Sequence, residues 1–340
     1  MEPTDSRPDW PDGDDRDPMS DLLAAIGPQR TADSLLARRV RFHQSWYRAV
    51  VLGRKSFGET AGAAPRPLGS ILADADAQAG LNFTSLAARR LFERRHAEGW
   101  GVDPVRCAKY LTSSQALTIN LFGLLVESMA WSARVLRDAL HRPDITAVKW
   151  IQVEYAPRRR SQYLHDMTRL DALMLVSTRT GDELLAVELK YVDRFNSRRV
   201  NIDRLPYRRL ATSHDLWTDV DYVLQAGGVN QLVRCHALAV AVSDDLIASP
   251  KRPARLVVVH HHADTSSTAA VDRYRAHLHD PALVQAVTLS AFISALQRQA
   301  RSPQQRQAAC DLYRRYVDES ESEPTWDLHQ IRGLGAKVGR

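Results

Sequence analysis

Two apolar stretches, residues 169–177 (RLDALMLVS) and 184–192 (LLAVELKYV), are separated by only six residues, Thr-Arg-Thr-Gly-Asp-Glu. Short runs rich in Leu and Val, joined through a glycine-bearing link, predict the two strands of an antiparallel β-hairpin. Three charged residues interrupt the apolar pattern: Asp171 on the first strand, Glu188 and Lys190 on the second. Side chains alternate along a strand, so Glu188 and Lys190 share a face. With Thr180 and Gly181 at the turn centre, Asp171 faces Lys190 and Leu173 faces Glu188, and all three polar groups emerge near one end of the hairpin. Burying two carboxylates side by side is costly unless a cation joins them. A divalent metal with oxygen ligands is one resolution, and a surface salt bridge through Lys190 is the plainer alternative.

Composition sharpens the choice. The chain carries six lysines against forty arginines, so a lysine inside a strand is unusual here. With 11 Glu and 6 Lys in 340 residues, Glu-x-Lys is expected about 0.2 times by chance. The one occurrence falls in a strand beside an Asp on its neighbour. Arginine, planar and forked, does not replace a compact ammonium at a tight site.

The segments around the hairpin set the fold class. Residues 113–140 read as one long helix, capped by Ser113 or Ser114 and apolar on several sides. Residues 148–155 (VKWIQVEY) read as a first strand, 215–243 as a helix that Gly227-Gly228 splits, 255–261 as a later strand and 287–289 as a further one. The order α-β-β-β-α-β predicts an α/β domain with a mixed sheet flanked by helices, the last strand returning in parallel. Helices are also expected over 31–52, capped by Thr31 or Asp33, over 84–98, and over 291–298 and 303–316. Four segments follow: an acidic, disordered tail (1–20), an N-terminal helical extension (21–105), the α/β core (106–300), and a C-terminal helix with a polar tail (301–340).

The excluded classes are clear. No apolar run reaches the roughly 18 residues of a membrane span, so no membrane association is expected. The N-terminus shows no basic-then-apolar leader. Cys107, Cys235 and Cys310 lie in no metal-like spacing and suit a reducing cytoplasm. The net charge of +6 divides into −5 over residues 1–18 and +11 over the remainder. A basic body favours a polyanion such as nucleic acid, and the acidic tail offers itself to protein partners. The consecutive histidines His260, His261 and His262 alternate faces on a strand and cannot converge on one ion.

The Asp171, Glu188-x-Lys190 pattern resembles the PD-(D/E)xK nuclease superfamily, the restriction-endonuclease-like fold, although Leu170 replaces the proline before the Asp. The segments LTSSQALTINLFGLL, AVELKYVD and NQLVRCHALA are similar to a prokaryotic group within it, over about residues 40–245. The resemblance implies Mg²⁺-dependent hydrolysis of phosphodiester bonds, most simply in DNA, with Mn²⁺ substituting, and a setting in restriction or phage defence. Asp171 and Glu188 would bind the metal with the Leu189 carbonyl. Lys190 would hold the attacking water and offset charge on the phosphorane. Glu127, a lone glutamate in the most apolar part of the long helix, would support the metal, its alternatives being an exposed stripe or pairing with Arg134. Gln231 would orient the site, with Arg234 on the same helical face. Glu154 on the first strand faces either the site or solvent. Arg158, Arg159, Arg160, Arg194, Arg198 and Arg199 crowd loops beside the hairpin and suit phosphates, as do Arg204, Arg208 and Arg209 further on. A homodimer is allowed. The alternative function is a nucleic-acid-binding or assembly protein that has shed its chemistry on the same scaffold.

Overall fold

The computed structural model describes residues 18–192, 199–247 and 254–338. Five strands form one sheet in the order of the chain: β1 (Ile145–Tyr155), β2 (Leu170–Thr178), β3 (Gly181–Lys190), β4 (Arg255–His260) and β5 (Val284–Thr288). β1, β2 and β3 pair antiparallel, while β4 joins β3 and β5 joins β4 in parallel. The expected α-β-β-β-α-β order and mixed sheet are therefore present. The turn differs in detail from expectation. Thr178 pairs with Gly181, so Arg179 and Thr180 form the two-residue link and Gly181, at φ 130°, is its exit. The shift is by two residues, which preserves the faces but changes the partners.

Helices α1 (Pro18–Ile26), α2 (Leu35–Trp46), α3 (Asp74–Gln78), α4 (Leu86–Ala97) and α5 (Pro104–Lys109) precede α6 (Ser114–Glu127) and α7 (Met129–Ala139). Ser34 caps α2, in place of the Thr31 or Asp33 expected, and Ser113 caps α6. The single long helix expected over 113–140 is two. Ser128 leaves helical geometry at φ −146°, ψ 88° and caps α7 through the Trp131 N–H. Its side chain competes with the backbone for hydrogen bonds, which favours a break even where the apolar pattern runs on. Between β3 and β4 lie α8 (Leu205–His214), α9 (Val220–Gln225) and α10 (Asn230–Leu246). The chain continues through α11 (Thr265–Arg275), α12 (Leu289–Arg298), α13 (Pro303–Tyr316) and α14 (Glu323–Val338). The last of these replaces much of the polar tail expected after the C-terminal helix of the 301–340 segment. Of the acidic N-terminal tail, residues 1–17 lie outside the described residues.

The near-continuous apolar strands follow from burial on both faces. On one face Ala172, Met174, Val187 and Leu189 pack with Leu117 and Phe122 of α6, Leu136 of α7 and Phe292 of α12. On the other, Leu173, Leu184, Ala186 and Val258 pack with Tyr207 of α8, Leu232 and Leu238 of α10 and Tyr274 of α11. α4 crosses α6 so closely at Gly123 that a Cβ there would lie 2.6 Å from the Ala88 Cα, which is why that position has no side chain.

The segments outside the sheet are stitched to it and to each other. Gln44 of α2 donates to the Tyr191 hydroxyl at 2.8 Å and to the Arg315 carbonyl of α13 at 2.7 Å. Arg315 reaches the Asn82 carbonyl at 2.7 Å, and Phe42 meets the Trp326 ring edge-on at 5.2 Å. Among the described residues no helix is long and apolar enough to cross a membrane.

Candidate active site

Strand register assembles the site. Ala172 pairs with Val187, which places Asp171 opposite Glu188 rather than opposite Lys190. Val153 pairs with Ala172 and Tyr155 with Leu170, which places Glu154 opposite Asp171 on its other side. A row of three carboxylates thus runs across β1, β2 and β3. Glu154 and Glu188 are each 3% exposed, and Lys190 is 7% exposed. Asp171 keeps a partly exposed edge.

Each group in the row is differently held. The Asp171 Oδ2 accepts the Leu189 N–H at 2.6 Å, so Leu189 meets the site through its amide N–H while its side chain lies in the opposite face of the sheet. Glu188 Oε1 lies 2.8 Å from Lys190 Nζ and accepts from Gln231 Nε2 at 2.6 Å, and the Cys235 thiol donates to Oε2 at 3.3 Å. Gln231 and Cys235 both stand on α10, so α10 fixes the rotamer of Glu188. Glu154 is the least satisfied. Its Oε2 lies 3.5 Å from Arg169 Nη1, its buried Oε1 has no hydrogen-bond partner, and its carbonyl accepts from the buried Arg95 at 3.1 Å. Its φ of 50° is left-handed, a conformation that costs a non-glycine residue on the order of 1 kcal/mol or more.

The charges act on one another. Burial, then the charges of Glu188 and Glu154, pushes Asp171 well above the usual carboxylate range, against the opposing pull of Lys190 and the Leu189 N–H. Burial raises Glu154 to about 7, although Gln115 and Arg169 beside it favour the anion. Burial would lower Lys190, but the Glu188 and Asp171 carboxylates outweigh it and hold the ammonium above its ordinary value. With all three carboxylates ionised, the row would carry more negative charge than Lys190 and Arg169 neutralise, which, on top of burial, is why Asp171 and Glu154 hold their protons to higher pH.

That imbalance fits a divalent cation. Hard oxygen donors are present, and the orphaned Glu154 Oε1 is a buried acceptor without a donor. Among the described residues no group of three or more His, Cys, Asp or Glu side chains is placed to hold a metal ion. Mg²⁺ does not need one, since it takes one or two carboxylates and completes its shell with water and phosphate oxygens.

Several sequence expectations are placed elsewhere. Glu127 ends α6 on an exposed turn, with Arg90 3.9 Å away, and does not join Asp171 and Glu188. Helix geometry explains this. The N-terminal end of α6, at Gln115, is the end beside Glu154, and twelve residues of helix put Glu127 about 18 Å further along. Nor does it pair with Arg134, whose guanidinium binds the Ala130 and Gln299 carbonyls. Arg234 is not a free phosphate ligand. It forks onto Asp166 at 3.0 Å twice, and the Tyr207 hydroxyl donates to the same carboxylate at 2.6 Å. Arg158 and Arg159 are exposed on the β1–β2 loop, whereas Arg160 lies 2.7 Å from Met167 Sδ. Arg199 donates to the Gln225 carbonyl at 2.6 Å. Arg208 and Arg209 lie on α8 instead of a loop, and Arg208 pairs with Asp203 and Asp221 at 2.7 Å each. Arg194 and Arg198 lie outside the described residues. His260 ends β4, and His261 and His262 follow it with their rings stacked at 4.1 Å.

Sequence reasoning missed the Asp166–Tyr207–Arg234 clamp, whose members carry no local signature. It also left Glu154 undecided, because only the β1–β2 register assigns that residue a side. A family model described as the PD-(D/E)XK nuclease superfamily matches residues 31–318. No curated protein and no solved structure matches the chain.

Proposed function

Given that this chain belongs to the PD-(D/E)XK nuclease superfamily, we propose that it is a metal-dependent nuclease that hydrolyses DNA with Mg²⁺, Mn²⁺ substituting. The observation that carries the reading is the Lys190 ammonium, buried at 2.8 Å from Glu188 on the face and at the strand end where Asp171 also emerges. A buried Lys between two carboxylates is a poor way to stabilise a sheet, because desolvation offsets most of the attraction. It is a good way to keep one compact cation beside a phosphate.

Asp171 and Glu188 would hold the metal, with the Leu189 carbonyl as a third oxygen. The cation, when bound, supplies a Lewis acid for the phosphate and lowers the pKa of water. Lys190 places its ammonium where negative charge grows on the phosphorane. Gln231 holds Glu188 in the orientation that keeps Lys190 in place. The exposed Arg158 and Arg159, with Arg160, Arg194, Arg198 and Arg199, give the neighbouring loops their affinity for the phosphate backbone. A role in restriction or phage defence, a cytoplasmic location, a homodimer and protein partners for the acidic tail complete the proposal.

A second reading has its own observation. Both Glu188 oxygens are engaged by Lys190, Gln231 and Cys235, which is what a retired site that only binds nucleic acid would show. Plasmid nicking in Mg²⁺ or Mn²⁺, with Lys190→Ala as control, separates the two. Nicking lost in the control supports the enzyme; DNA binding without nicking by either protein supports the binding module.

A further inference from the structure

We propose that a cavity of about 330 Å³ between Arg41 of α2, Arg106 of α5 and the start of α6 seats one phosphate of the nucleic-acid strand, next to the reacting end of β3. The proposal rests on the nuclease reading above and adds to it a phosphate site on different elements from the loops that carry Arg158 and Arg159.

The lining suits an anion. Arg30, Arg41 and Arg106 reach it from three segments, and its carboxylate, Asp103, is spent on capping α5, where it accepts the Arg106 N–H at 2.9 Å. Arg41 is only 9% exposed, and its guanidinium is used in part. Nε donates to Asp33 at 2.7 Å, and Nη1 is shared between the hydroxyls of Ser70 at 3.2 Å and Thr112 at 3.4 Å. Nη2 has no hydrogen-bond partner among the described residues, yet it is not sealed from solvent. Asp33 also lies 3.6 Å from Arg30, so one carboxylate answers two guanidiniums. Arg106 stands over the Tyr110 ring at 6.0 Å. A buried cation with an idle donor and half a counter-charge is costly until another group completes it. A phosphate oxygen does so, and the arginine fork matches phosphate. The first turn of α6 lines the cavity through Ser113 and Gln115, so the positive end of that helix adds to the field. Position ties the cavity to the candidate site. Val192, on the lining, is two residues beyond Lys190, and Gln115 neighbours the Glu154 carboxylate. A strand whose scissile phosphate meets Lys190 therefore passes the cavity with another of its phosphates. The volume is at the lower end of ligand cavities, roughly 300–1,000 Å³, which admits a phosphate with its sugar and excludes a duplex.

The test is fluorescence anisotropy of a labelled DNA oligonucleotide on the full chain, titrated with salt in EDTA, so that binding is read without metal or cleavage. Arg106→Gln removes an exposed cation from the lining. Arg179→Gln removes an exposed cation from the β2–β3 turn, at the opposite end of β3 from Lys190. Thr60→Trp fills the cavity at unchanged charge. Arg106→Gln and Thr60→Trp should each weaken binding and lower the log–log salt slope by about 0.9, the share of one phosphate, while Arg179→Gln leaves the slope unchanged. Equal slopes for Arg106→Gln and Arg179→Gln overturn the proposal, because the arginine then acts only as surface charge. A Thr60→Trp protein that melts like wild type and keeps its full slope overturns it too; where that variant does not fold, the two arginine variants decide alone. Titration calorimetry with inorganic phosphate and with thymidine monophosphate separates the sources. Binding of either that Arg106→Gln weakens, with DNA affinity the same in all four proteins, gives the cavity to a free phosphate and overturns the strand assignment. If wild type binds no DNA at any salt, the nuclease reading itself falls and takes this proposal with it.

Discussion

Lys190 and Glu188, two residues apart on β3, meet at 2.8 Å on one face of the sheet, and their side chains are 9% and 4% exposed. Neither charge has solvent to fall back on. Each is therefore kept in place by the other, and the consequences of disturbing them differ.

Lys190→Arg keeps the charge and should still fold and bind DNA. A planar guanidinium is bulkier and cannot set one ammonium beside the scissile phosphate. Cleavage should drop by roughly 100-fold or more, the scale of one missing transition-state donor. Plasmid nicking at matched Mg²⁺ measures it. Equal rates for the two proteins would reduce Lys190 to a salt-bridge partner.

Removing either carboxylate should abolish metal binding, yet the two variants should part in stability. Asp171→Ala relieves repulsion in the row, so its apo protein should be no less stable than wild type. Glu188→Ala leaves Lys190 buried without its ion-pair partner and should cost roughly 3–5 kcal/mol. Urea midpoints in EDTA decide the matter. A larger loss for Asp171→Ala than for Glu188→Ala would contradict the charge distribution described.

Glu154 gives a pH signature. Its carboxyl titrates near about 7 in the folded chain against an ordinary 4.5. Between those values the folded state keeps a proton that the unfolded state has released. The resulting stabilisation is complete below about pH 4.5 and is lost as pH rises through about 7. Relative to Glu154→Gln, wild type should therefore lose up to about 1.4 kcal/mol for each pH unit over that interval, and nothing further well above it. Denaturant midpoints of both proteins in EDTA, taken across this range, provide the comparison, and a constant gap would show that Glu154 is not the titrating group.

The arginines should divide by their partners. Neutralising Arg158 and Arg159, both exposed, should flatten the dependence of DNA affinity on salt by about 0.9 in log–log slope for each phosphate left without its cation. Arg234→Gln should leave that slope unchanged and lower the melting temperature, because it strands Asp166. Asp166 is held down at about 2 through Arg234 and Tyr207, which outweigh burial. A changed slope in Arg234→Gln, measured by fluorescence anisotropy, would return that residue to the DNA interface.

What the sequence disclosed follows from what is local. Strand identity, the shared face of Glu188 and Lys190, and helix α13 over Pro303–Tyr316 are written in periodicity and turn residues. The hairpin register differs by two from the expected one because Gly181 exits the turn instead of centring it, yet a shift of two keeps parity, so the polar face survives. The break at Ser128 is hidden inside an unbroken apolar pattern. Glu127 lies away from the site because apolar neighbours in sequence do not say which end of a helix meets the strands. Glu154 needs the β1–β2 register, which no turn chemistry fixes across the long loop between those strands. The Asp166–Arg234 clamp joins residues far apart in the chain through tertiary packing alone.

The hydrogen bonds of Gln44 to Tyr191 and to the Arg315 carbonyl have a consequence for how the molecule comes into being. Tyr191 is the residue after Lys190, and its anchor draws on one helix made early in synthesis and another made late. A polypeptide still emerging from the ribosome, or one terminated before Arg315, already contains Asp171, Glu188 and Lys190 but lacks the α13 carbonyl that locks Gln44 against the strand end. The anchor on Tyr191 is therefore complete only when synthesis has passed α13, and a shortened product carries Asp171, Glu188 and Lys190 without it.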